Sequence, residues 1–144
     1  MRADATLSVA APPERVVPHV ADLERFPPWM PLVHGVEVDD SVAGETAWVV
    51  ELRAKVGVFA RSKRLRMVRT ENGPETFVFE RRETDGRRHS PWVLTVGVHA
   101  VESGANVSVV LVYGGSLWTG GILDKVLATQ IEAGKSGLAR VVEG

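Results

Sequence analysis

Few side chains in this sequence are placed to do chemistry. The four histidines, His19, His34, His89 and His99, fall on four separate predicted elements and share no ligand spacing, so neither a metal nor a cofactor is expected. His34 follows Trp29-Met30-Pro31-Leu32-Val33 and reads either as a proton-transfer group at a pocket mouth or as an exposed loop histidine. No serine occupies a Gly-x-Ser-x-Gly elbow, so the usual mark of a Ser-His-Asp hydrolase is missing. Gly134-Lys135-Ser136 imitates the end of a phosphate-binding loop. However, Thr129 stands where the earlier glycine is required, and the segment has a helical pattern. Cysteine is absent, which removes disulfides, thiolate metal sites and cysteine nucleophiles together and is compatible with a reducing compartment.

Three polar residues fall where a ligand could be oriented. Tyr113 ends an inward row of a predicted strand, and its hydroxyl needs a partner if buried; it reads as a weak acid, a ligand-orienting group or a satisfied core tyrosine. Gln130 lies on the apolar stripe of a predicted helix and offers two donors and an acceptor. Arg81 shares the parity of Phe77 and Phe79. Facing inward, it would demand an anionic partner such as a ligand carboxylate; at a strand end it would snorkel to solvent.

The 17 basic and 18 acidic side chains give a net charge of −1, so no global field favours nucleic acid or an anionic membrane. The local basic runs, Arg61 to Arg69 and Arg81 to Arg88, read as a solvated face. Arg53, Lys55, Arg64 and Arg66 share the outer side of a sheet with Glu51 and Glu80, and cross-strand ion pairing accounts for most of them. At 144 residues, 44% hydrophobic and 24% charged, the chain has the profile of one domain over 1–144. A chain this size buries roughly 68–70% of its unfolded surface, enough for a core and an internal cavity. No apolar run approaches the roughly 18 residues that span a bilayer. The acidic Asp4 interrupts the start where a signal peptide would be apolar, so the expected location is cytoplasmic, without stable membrane insertion.

The elements that must position these groups are legible from periodicity. Leu7 and Val9 alternate with polar neighbours until Pro12-Pro13, giving a strand closed by proline. A first helix starts near Pro13, with Val16, Val17 and Val20 on its apolar side, and Pro18 shortens or bends it. Leu23, Phe26 and Trp29 continue into a second short helix or turn. From Val36 to Gly114 the period is two, with turn chemistry at Glu71-Asn72-Gly73-Pro74, Asp85-Gly86 and Ser103-Gly104-Ala105-Asn106, which makes about six strands joined by hairpins. After the glycine-rich joint at 114–121, Leu123, Val126, Leu127, Gln130, Ile131, Gly134, Leu138 and Val141 form one helical stripe. That helix, of about six turns from near Thr119, is the one element long enough to cover the sheet. Small Gly134 and polar Gln130 on its stripe suggest a gap beneath it.

This order predicts an α+β fold: a curved antiparallel sheet of about seven strands wrapped around the C-terminal helix, with two short helices after the first strand. The arrangement, together with Ala21-Asp22-Leu23-Glu24-Arg25-Phe26-Pro27-Pro28-Trp29-Met30-Pro31, resembles the START-like helix-grip (SRPBCC) superfamily over Ala5 to Val142. That superfamily includes polyketide cyclase/dehydrase-like proteins and relatives of the carbon-monoxide-dehydrogenase G protein. The resemblance implies a hydrophobic or amphipathic small-molecule ligand, lipid or polyketide-like, held between sheet and helix, although the fold alone does not choose a function.

The expected lining comprises Trp48, Val50 and Leu52; Leu65 and Met67; Phe77, Phe79 and Arg81; Trp92, Leu94 and Val96; and Val109, Leu111 and Tyr113. Leu123, Leu127, Gln130 and Ile131 complete it from the helix. A filled core is the bland alternative. Two other functions stay open: a cyclase or dehydratase using Tyr113, His34 or Arg81, and an adaptor docking a protein through Leu117-Trp118. Those two residues also suit a lid, a homodimer contact or a membrane-touching tip.

Overall fold

The computed structural model describes residues 2–56, 58–114 and 122–144; for residues 56, 59 and 122–124 it describes the backbone alone. The chain runs β1 (Arg2–Val9), α1 (Pro13–Val20), a 3-10 turn (Leu23–Arg25), β2 (Val33–Asp39), β3 (Ala47–Val56), β4 (Phe59–Asn72), β5 (Thr76–Arg81), β6 (Trp92–Val101), β7 (Gly104–Tyr113) and α2 (Ile122–Glu143). The seven strands form one sheet in the order β1-β7-β6-β5-β4-β3-β2, every pair antiparallel. β2 to β7 are thus the expected hairpin meander, and β1 closes against β7. Register shifts at Val33/Gly35 and Arg69/Glu71 are β-bulges, which bend the strands that carry them.

Proline sets the first corner. Pro12 caps α1 in extended conformation without a side-chain hydrogen bond, and Pro13 opens the helix where a missing N–H costs nothing. Val16 and Val20, one turn apart, bury fully, and Pro18 is on the exposed side of a helix of only eight residues. The second short helix reduces to the 3-10 turn. Asp22 caps it by accepting from the Glu24 N–H at 2.9 Å, and the chain coils on through a Met30 N–H donating to the Phe26 carbonyl at 2.8 Å.

α2 spans 22 residues, roughly 33 Å at helical rise, and contacts β1, β3 and α1. Its C-terminal end is pinned where the Ala10 N–H donates to Glu143 Oε2 at 2.8 Å. The inward rows of the sheet, α1, the 3-10 turn and α2 share one continuous hydrophobic core. The expected start of α2 near Thr119 and the pair Leu117-Trp118 lie outside the described residues.

Candidate binding cavity

The inward side of the sheet divides into two regions. In one, aromatic rings fill the space: Phe79 meets Trp48 at 5.9 Å and Phe26 at 6.2 Å between centroids, and Phe26 meets Trp29 at 4.6 Å. The Arg69 guanidinium lies 5.7 Å from the Trp48 ring and donates to the Ala21 carbonyl at 2.7 Å, closing that end. In the other region the side chains are smaller and do not meet, leaving a cavity of about 130 Å³.

The cavity wall is built from every layer of the fold. Val50 and Leu52 on β3, Leu65 and Met67 on β4, Trp92, Leu94 and Val96 on β6, and Val109 and Leu111 on β7 supply the sheet side. Ile131 supplies the helix side, with Gly134, Lys135 and Leu138. Besides the indoles of Trp29 and Trp92, the polar side chains among the described lining residues are Thr6 and Lys135. The Trp29 indole donates to the His19 carbonyl at 3.0 Å, so its polar edge is already used. Such a wall binds by apolar burial and leaves orientation to a few polar groups at its margin.

Several residues expected in the lining lie elsewhere. Trp48, Phe77 and Phe79 are buried in the core, because Phe26 and Trp29 arrive from the loop after α1 and fill the space in front of that end. Leu127 is buried in the core beside the cavity. Tyr113 is buried with its ring 5.7 Å from Trp92, behind the wall. Gln130 is half-buried, and its Oε1 is buried with no donor among the described residues. The Leu123 side chain lies outside the described residues.

Arg81 corrects the expectation that a strand-end arginine reaches solvent. Its side chain is 8% exposed, held by the Ser90 carbonyl and Oγ at 3.3 and 3.4 Å, by His89 Nδ1 at 3.3 Å, and by Glu83 at 3.7 Å. His34 is exposed, but on β2 rather than in a loop, 3.9 Å from Glu51. Gly134 and Gly137 serve close approach rather than a gap alone: a Cβ on the first would overlap Met30 Sδ, and one on the second the Trp29 carbonyl. Among the described residues no three histidine, aspartate or glutamate side chains gather as a metal site requires, and no helix is long and apolar enough to cross a membrane.

Periodicity does not reveal the contribution of the loop and the first strand. Leu23, Phe26, Met30, Leu32 and Val33 line the cavity, as do Ala5, Thr6 and Leu7. The signal was present in the apolar spacing of the Leu23 to Met30 segment, which connects the helices and also roofs the cavity.

A bent antiparallel sheet gripping a C-terminal helix over an apolar cavity defines the helix-grip class. The sequence matches the family described as Polyketide cyclase / dehydrase and lipid transport over residues 1–143, and the chain belongs to that family. Its fold is similar to that of TTHA0849 from Thermus thermophilus, at 21% identity and TM-score 0.73 over 99% of this chain and 96% of that one. A START superfamily protein from Mycobacterium smegmatis aligns at 16% identity and TM-score 0.71, covering 99% and 97% of the two chains. The Zhui aromatase/cyclase from Streptomyces sp. R1128 aligns at 14% identity and TM-score 0.68, covering 99% and 93%. At these identities the likeness is one of fold. No curated protein matches the sequence.

Proposed function

We propose that this protein binds a hydrophobic or amphipathic small molecule in the cavity between the sheet and α2. The observation that carries this reading is the cavity itself, about 130 Å³ with an almost wholly apolar wall. An empty volume of that size forfeits roughly 3 kcal/mol of packing, at about 24 cal/mol per Å³. A fold of marginal stability that retains such a cost has a use for the space. The family description, which names lipid transport beside cyclase and dehydrase activity, supports the same reading.

Size narrows the ligand. A dry apolar cavity of about 150 Å³ takes up benzene, whereas drug-sized ligands occupy about 300–1,000 Å³. The cavity as folded therefore suits a body of one or two rings or a short alkyl chain. An acid–base mechanism on an enclosed substrate would need a titratable group in the wall, and Lys135 is the one among the described lining residues. Binding without turnover is accordingly favoured.

Native mass spectrometry of the freshly purified chain tests the proposal. The expected result is a discrete adduct on the order of 100–300 Da, or its uptake from a panel of small aromatic and aliphatic compounds, and its loss in Val109→Trp. A clean unliganded mass with no uptake, or undiminished uptake by a folded Val109→Trp variant, would remove the cavity as the binding site.

A further inference from the structure

The inward face of the sheet is apolar until it reaches one corner, where two cations continue the rows. Lys63 extends the inward row of Leu65 and Met67 on β4, and Arg81 extends that of Phe77 and Phe79 on β5. The register places each directly across from a cavity-lining residue: Lys63 is paired with Leu52, and Arg81 with Met67. The corner therefore adjoins the cavity wall.

The charges there do not balance. Glu83 lies 3.7 Å from Arg81 Nη2 and is also occupied, since its Oε1 accepts from the Arg66 N–H at 2.8 Å. Asp85 is taken by His89 Nε2, 2.9 Å from both carboxylate oxygens. Burial lowers the Lys63 ammonium below its ordinary pKa, and the Arg81 charge lowers it further, with Glu83 acting in the opposite sense. Two cations thus face one shared carboxylate. Arg81 Nε is buried and has no acceptor among the described residues. A buried guanidinium N–H without an acceptor is costly, and a guanidinium edge matches a planar two-oxygen anion.

We infer that this corner receives the anionic end of the ligand, and that the ligand class is the small apolar carboxylic acid, its hydrocarbon body in the cavity and its carboxylate on Arg81 and Lys63. A monoanion matches the single surplus charge. The inference rests on the cavity being the ligand site. Lys135, the other cation on the wall, is 35% exposed and already 3.7 Å from Glu132, so it does not compete as the deep anion partner.

Isothermal titration calorimetry on the full chain, with 2-naphthoate, 2-naphthalenemethanol and naphthalene as probes, tests the assignment. The acid is expected to bind at least about tenfold more tightly than the alcohol, the value of one hydrogen bond to a charged group. Arg81→Gln should close most of that difference, the acid losing far more affinity than the alcohol. Should Arg81→Gln not fold, Lys63→Met, at a half-buried position, should narrow the difference instead. Equal affinities for acid and alcohol would overturn the anion site and leave the cavity reading standing. A preference for the acid that survives in the folded variants would also overturn it, placing the carboxylate elsewhere. Failure of all three probes to bind would overturn both readings.

Discussion

Arg66 is buried on the outer face of the sheet, and its neighbours explain why it is tolerated there. Its Nε donates to Asp39 and its Nη2 to Glu45, each at 2.9 Å, while Nη1 donates to the Arg82 carbonyl at 3.0 Å. Burial alone would lower its pKa, but the hydrogen bonds and charges of Glu45 and Asp39 raise it on balance. Hydrogen bonds from Ser41, and then from Arg66, hold Asp39 down to about 2 from an ordinary 3.8. A carboxylate with a depressed folded pKa contributes stability that is complete above its unfolded value and lost as pH falls through the folded one. The Asp39→Asn variant should therefore unfold at lower urea than the parent near neutral pH, and the difference should shrink as pH falls from 3.8 towards 2. A difference independent of pH would sink the assignment. A second residue-scale outcome concerns His89. Arg81 Nη2 can only donate, so His89 Nδ1 accepts from it and Nε2–H donates to Asp85. Nitrogen-15 spectra in mildly alkaline solution should show the Nε2–H tautomer, and a protonated Nδ1 would contradict the Arg81 contact.

At the scale of elements, the tightest junction is between α2 and the segment from Leu23 to Met30. A Cβ at Gly137 would strike the Trp29 backbone carbonyl, which cannot move alone, whereas one at Gly134 meets the mobile end of Met30. Gly137→Ala should therefore destabilise by about 1–3 kcal/mol, the usual cost of overpacking. Gly134→Ala should cost less or nothing, because alanine also favours helix by about 1 kcal/mol over glycine. Equal losses in thermal denaturation would show that the junction is looser than it looks. These same elements mark what the sequence could and could not tell. The period-two rows from Trp48 to Tyr113 and the stripe from Leu127 to Val141 announced the sheet, the helix and their mutual faces, since alternation is a property of each strand alone. Which inward residues line the cavity and which fill the core is decided by Phe26 and Trp29, which come from a proline-rich turn with no period of its own. Gly134 looked like an absence of bulk, yet its lack of a side chain admits Met30. The burial of Arg81 depended on Ser90 and His89 after a turn, a meeting that no strand pattern encodes.

For the molecule as a whole, the cavity couples binding to stability. A ligand that binds only the folded chain stabilises it by about 2.7 kcal/mol at a hundredfold excess over Kd. With an unfolding entropy of about 2.1 cal/mol/K per residue, the 144 residues convert that into a rise of about 9 °C in Tm. Filling the space from within should act in the same direction without ligand. Ile131→Phe places a larger apolar group into the wall from the helix side, where Ile131 is only half-buried and has room to turn. It should recover part of the roughly 3 kcal/mol that the empty volume forfeits, raising Tm by a few degrees, while removing most of the ligand-induced shift. The two effects are opposite sides of one volume, so calorimetry with and without a saturating small aromatic compound should find them anticorrelated across a series of fillers at Ile131 and Val109. A variant that gains stability and keeps the full ligand shift would show that the ligand sits elsewhere. One that loses both would show that the wall, at about the density of a native interior, has no slack to accept a larger side chain.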